Sequence, residues 1–375
     1  MKNSSCSLQI VLLIALSLAG CAGTPRPQPI DSAAELAAFM QSQRLADGRG
    51  RFREIFCSVM EAHGRDLPDY RPCERALRDV DPEAGATGQP VELDASQANY
   101  LVLLVPGLGW NCFEEWLDLS GTAPAHAARY GYEVRTVPVD GLSSTANNAR
   151  MVREYVASLP DADAQRPLIL IGYSKGAPDI LEAVVSYPEL RTRVAAVVSL
   201  SGSVRGSPLA DDASQATANM LTMVPGSKCE DEQGDNDAVA SLRTDVRRQW
   251  LEANPLPAGI RYYSVVTFPE FDRVSWALIN SFNLLGKRDP RNDTQVIIFD
   301  QMVPGSTLVA FVNADHWAIA VPVARSHGIV GSTVVNHNDY PREAFLEALL
   351  RYVEEDLDSA SLTGAEGAMS ISASE

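Results

Sequence analysis

The sequence predicts an α/β domain with a mostly parallel central sheet flanked by helices, a helical extension before it and a helical cap inserted within it. Three observations predict this class. From about residue 100 onward, short apolar runs alternate with segments whose apolar residues recur at helical spacing. Some of these runs are continuously apolar, as Tyr100 to Val105 (YLVLLV) is, which is the pattern of strands buried on both faces. The segment Gly172-Tyr173-Ser174-Lys175-Gly176 sets glycines two residues either side of a serine, where an apolar run gives way to a helical pattern. A chain of 375 residues that is 46% hydrophobic can form a sizeable core. Its formal charge of −17 argues against nucleic-acid binding, which needs a basic surface.

Taken in order, residues 1–20 read as a secretory signal. Lys2 supplies the positive start, Ile10 to Leu18 is almost wholly apolar, and small residues follow. Leu18-Ala19-Gly20-Cys21 resembles the bacterial lipoprotein cleavage box. That resemblance implies acylation of Cys21, export, and stable anchoring by several acyl chains in the cell envelope. Ala22 after the cysteine, rather than Asp, resembles lipoproteins sent to the outer membrane, here facing the periplasm. Residues 21–30 form a proline-containing tether. Residues 31–95 are expected to be a helical extension packed on the main domain. Phe52, Ile55, Phe56, Val59 and Met60 make one helical face there, read as core packing.

The main domain is expected over 96–357. Its strands are Tyr100 to Val105, Tyr132 to Val139, Pro167 to Ile171, Val194 to Leu200, Ile260 to Thr267 and Thr307 to Val312. Ser144 and Thr145 cap a helix that turns Val152, Tyr155, Val156 and Leu159 inward. Ile180, Leu181, Val184 and Val185 mark another. Pro341 opens a C-terminal helix with Phe345, Leu349 and Tyr352 inward. No strand pattern appears over about 203–257, where a cap would sit. Val239, Leu242, Val246 and Trp250 form a helical stripe there, and Met220, Leu221, Met223 and Val224 a second apolar cluster. The small, polar residues 358–375 are expected to be disordered.

Setting aside Cys6 and Cys21 leaves Cys57, Cys73, Cys112 and Cys229. An even number in an exported chain reads as two disulfides with three connectivities open. Cys57–Cys73 is favoured, each lying in or beside a helical segment with a turn-rich link between, and Cys112–Cys229 would follow. The alternative is four free buried thiols. Their spacing does not match a zinc site, and the acidic stretch Cys229 to Asp237 does not fit a calcium loop. It reads as a solvated loop, so no metal is expected.

The serine segment has the geometry of a nucleophile elbow, a sharp strand-to-helix turn that lifts a hydroxyl above the sheet and leaves no room for flanking side chains. From about residue 100 to the C-terminal helix, the chain resembles the α/β-hydrolase superfamily, particularly its bacterial lipases and esterases. The resemblance implies a serine–acid–histidine order with Ser174 as nucleophile. Backbone donors to a developing oxyanion would be Lys175, after the nucleophile, and Leu108, in the turn Pro106-Gly107-Leu108-Gly109-Trp110, where proline replaces the family's histidine.

Five histidines compete for the base: His63, His126, His316, His327 and His337. His316, in Asn313-Ala314-Asp315-His316-Trp317 directly after the last strand, stands where the fold presents its base. His327 and His337 follow no strand directly, and His63 and His126 read as surface or packing residues. The acid is open between Asp293 and Asp300, with Asp272 closest after its strand. Asn292-Asp293-Thr294-Gln295-Val296 resembles the lipase segment Asn-Asp-Gly-X-Val, with threonine in place of glycine. Asp300 precedes a Met-Val-Pro-Gly segment of similar kind. Asp315 reads as a helper or a satisfied loop carboxylate.

The expected activity is hydrolysis of carboxylic esters at the envelope, without a cofactor and on hydrophobic or small acyl substrates. Thioester hydrolysis or acyl transfer on the same fold is the alternative, and a non-catalytic envelope lipoprotein on a hydrolase-like scaffold is a third reading.

Overall fold

The computed structural model describes residues 33–110, 122–213, 234–326 and 328–372. The signal segment, Cys21, Cys112, Cys229 and the cluster Met220 to Val224 lie outside them. Among the described residues, seven strands form one sheet in the order β1-β7-β6-β5-β4-β2-β3, and every neighbouring pair is parallel. They are β1 (Ala46–Asp47), β2 (Leu101–Val105), β3 (Glu133–Thr136), β4 (Leu168–Tyr173), β5 (Val194–Leu200), β6 (Arg261–Thr267) and β7 (Thr307–Val312).

Side chains alternate across a strand, so each run feeds two cores. Leu101, Leu103, Val105, Leu168, Leu170 and Val197 face one side, where Thr145–Ala157 and Gly176–Ser186 bring Val152, Val156, Ile180 and Val184. Val102, Ile169, Ile171, Ala196, Val198 and Val265 face the other, covered by Arg49–Ala62, Thr122–Arg129 and the C-terminal helix Arg342–Ser372. We label the five flanking helices α1 (Arg49–Ala62), α2 (Thr122–Arg129), α3 (Thr145–Ala157), α4 (Gly176–Ser186) and α5 (Arg342–Ser372). The predicted stripe of α1 is fully enclosed: Phe52, Ile55, Phe56 and Val59 are all at most 1% exposed. Each such side chain contributes about 2 kcal/mol of burial. Ser144 caps α3 by accepting the Asn147 amide at 3.2 Å.

Cys57 of α1 and Cys73, which opens a short helix over Cys73–Ala76, form a disulfide. That is the favoured pairing.

Two features depart from the sequence pattern. The stripe Val239 to Trp250 is not one helix but two, Ala238–Ser241 and Thr244–Ala253, broken at Leu242 and Arg243. Arg243 is extended, with ψ 142°, and Val246 is 41% exposed because the break turns it outward. The last helix continues to Ser372, past the start of the predicted disordered tail. Ala360, Leu362, Ala365, Ala368 and Met369 favour that state. Among the described residues no helix is long and apolar enough to cross a membrane.

Candidate active site

At the C-terminal end of β4 the chain must reverse into α4 within two residues, and Ser174 makes the turn with φ +54°. Side chains on either side cannot be accommodated. A Cβ on Gly172 would stand 2.5 Å from the Ala177 Cα, and one on Gly176 would stand 2.0 Å from the Val105 carbonyl oxygen. The serine backbone is held by its neighbours: its amide donates to the Leu200 carbonyl at 3.0 Å, and its carbonyl accepts the Ser203 amide at 3.0 Å.

His316 follows β7 and is 4% exposed. Its Nε2 is 2.8 Å from Ser174 Oγ and its Nδ1 2.7 Å from Asp293 Oδ2. The ring is fixed from its backbone as well, since the His316 amide donates to the Asp293 carbonyl at 2.9 Å. The Tyr173 phenol donates to the His316 carbonyl at 2.7 Å.

Asp293, buried in the loop that follows the helix Ile279–Gly286 in the connection from β6 to β7, accepts the amides of Gln295 and Val296 on Oδ1 at 2.9 and 2.7 Å. Its Oδ2 takes the Thr267 hydroxyl at 2.6 Å as well as the histidine. Ser174, His316 and Asp293 thus form one hydrogen-bonded line across three loops, all at the carboxyl ends of strands, where open α/β sheets place their sites.

The other candidates stand elsewhere. Asp300 lies in the turn Ile298–Gln301, and its carboxylate is 3.3 Å from Arg248 rather than beside the histidine. Burial, against the pull of Arg248, lifts its pKa to about 6. Asp272 is exposed. Asp315 caps its own loop, accepting the amides of Trp317, Ala318 and Ser275.

His63 and His126 are joined to each other through Glu347. Each Nε2 is 2.7 Å from Glu347 Oε2, and Arg351 reaches Oε1 at 2.9 Å. Among the described residues this is the one group of three whose ligand atoms lie close enough to hold a metal ion. His337 is partly buried, and burial lowers its pKa. His327 lies outside the described residues.

The turn after β2 abuts the serine, since a Cβ on Gly107 would meet Ser174 Cβ at 2.8 Å. Leu108 is exposed, and neither its amide nor that of Lys175 has an acceptor among the described residues. The Lys175 side chain is fully buried and pairs with Asp179 at 2.8 and 2.9 Å. The sequence shows that pair only as a Lys and an Asp four apart on a helix. Nothing in it points to Thr267, the last residue of β6, which the sheet brings to Asp293.

No protein-family model matches the sequence, and no curated protein does. Solved structures do. The metagenomic carboxyl esterase MGS0156 is 39% identical, with 88% of this chain and 100% of that chain covered at a TM-score of 0.79. The propeptide form of the Bacillus licheniformis lipase BlEst2 is 22% identical, covers 65% of this chain and 51% of that one, and has a TM-score of 0.51, a likeness of fold. With its parallel sheet, its strained serine turn and this identity over the esterase's full length, the chain belongs to the carboxyl-esterase family of the α/β-hydrolase fold.

Proposed function

We propose that the protein hydrolyses carboxylic esters through a covalent acyl-enzyme on Ser174. The observation that carries this reading is the line Asp293–His316–Ser174, with contacts of 2.7 and 2.8 Å, ending on a serine at φ +54°. His316 Nε2 takes the hydroxyl proton as Oγ attacks the ester carbonyl carbon. The tetrahedral oxyanion lies between the Leu108 and Lys175 amides. His316 then gives its proton to the leaving alkoxide, which departs as the alcohol. Water, deprotonated by the same nitrogen, attacks the acyl-enzyme and releases the acid and free Ser174. Asp293 holds the Nδ1 proton and stabilises the imidazolium while it exists.

The test is fluorophosphonate labelling with peptide mapping, alongside rates on aryl acyl esters of increasing chain length. Labelling at Ser174 is expected, with loss of hydrolysis in Ser174→Ala and a fall in kcat of about 10⁴-fold in Asp293→Asn. A folded parent that neither labels nor hydrolyses would overturn the reading. Attachment to the envelope through Cys21 is part of the proposal on the strength of Leu18-Ala19-Gly20-Cys21. Metabolic labelling with a fatty acid should mark the parent and leave Cys21→Ala unmarked.

A further inference from the structure

A continuous polar path runs inside the domain from one proposed oxyanion donor to the other. It starts at Lys175, whose amide is the first donor and whose Nζ turns back under α4 to hold both oxygens of Asp179. Asp179 is fully buried and also accepts Asn148 Nδ2 of α3 at 2.8 Å. The same Asn148 grips the loop after β3 twice, its Nδ2 donating to the Asp140 carbonyl at 2.9 Å and its Oδ1 accepting the Asp140 amide at 3.2 Å. Asp140 stiffens that loop by accepting the Leu142 amide and the Ser143 hydroxyl at 2.8 and 2.9 Å. Gly141, within it, accepts the Gly109 amide at 3.0 Å. Gly109 is the residue after Leu108, the second donor.

A buried ion pair is a costly way to hold a helix end, and apolar residues of the same volume often serve as well or better for stability. Its presence under the nucleophile turn points to placement of groups rather than to packing. We propose that Asn148 is a positioning residue: anchored on the Lys175–Asp179 pair, it fixes the loop around Asp140 and so sets the gap between the Leu108 and Lys175 amides. The gap matters because donors act on the oxyanion only near 2.7–3.1 Å, and a displaced donor loses most of its effect. The inference rests on the reading of Ser174 as the nucleophile of an ester hydrolase.

The experiment compares the parent with Asn148→Ala and with the double variant Lys175→Met/Asp179→Leu. The double variant cuts the path at its anchor while replacing the buried pair with apolar groups. Each is assayed on an aryl acyl ester and on the matching thionoester, whose sulfur is a poor hydrogen-bond acceptor. Folding is checked by circular dichroism and melting temperature.

In both variants kcat on the oxoester should fall about 10- to 100-fold with KM little changed, and the oxoester-to-thionoester rate ratio should drop about tenfold. A merely structural defect would lower both rates together and leave the ratio alone. An active, Ser174-dependent parent whose folded variants keep that ratio would overturn the inference and leave the proposed function standing. If Asn148→Ala does not fold, the double variant decides. A parent inactive on both esters would overturn the function and the inference together.

Discussion

The two oxygens of Asp293 are used differently, and the difference explains which sequence signals were readable. Oδ1 takes two amides from its own loop, so the local segment Asn292 to Val296 carries that half of its environment and could be recognised as a motif. Oδ2 takes His316, from the loop after β7, and Thr267, from the end of β6, and neither leaves a local trace. The rival Asp300 sits in an equally suggestive segment, but its side chain is spent on Arg248. Because burial lifts its pKa to about 6, the native state keeps a proton that the unfolded chain has released. Stability from this group therefore falls as pH rises from about 4 to 6. Asp300→Asn should flatten the stability–pH profile across that interval in denaturant melts and leave kcat little changed. Thr294 stands where the resembling segment has glycine, and the reason to expect glycine is visible: its φ is +89° and its hydroxyl has no partner among the described residues. Thr294→Gly should raise stability by about 1 kcal/mol, read as a higher melting temperature with activity retained.

Among the elements, α5 ties the others together through Glu347. The carboxylate joins His63 at the end of α1 and His126 of α2, while Arg351 on the same helix also donates to the carbonyls of Glu92, Leu93 and Asp94. Burial works against the Glu347 charge, but the hydrogen bonds of His126, His63 and Arg351 outweigh it and hold the carboxyl below its ordinary range. Its contribution is thus present above the unfolded pKa and lost as pH falls through the folded one. Glu347→Gln should cost about 3 kcal/mol at neutral pH, with the gap to the parent closing in acid, a result that urea melts at several pH values would read. The stripe of α1 announced a packed helix, but periodicity alone could not name its partner. Nor could it foresee the break at Arg243, because a helical stripe reads the same across a turn.

At the scale of the whole molecule, continuous apolar runs made β2, β4, β5 and β7 legible, since burial on both faces writes itself into composition, while β3, half-buried throughout, is more polar. β1 is only Ala46 and Asp47 and carries no such pattern; it exists because β7 offers it an edge. Deleting residues 1–47 should leave that edge open and lower solubility, seen as faster growth of light scattering on warming. β1 also pairs with residues some 260 positions later, and the rings of Phe52 and Phe56 in α1 pack against Phe345 of α5 at 5.4 and 5.9 Å. A segment synthesised early is enclosed by one that leaves the ribosome much later. A growing chain must therefore carry the apolar face of α1 uncovered until α5 has emerged, and folding resembles the closing of a clasp rather than growth outward from a first-made seed. Ribosome-bound chains halted before Phe345 should stay protease-sensitive throughout α1 and engage chaperones, and should gain protection together once α5 has emerged.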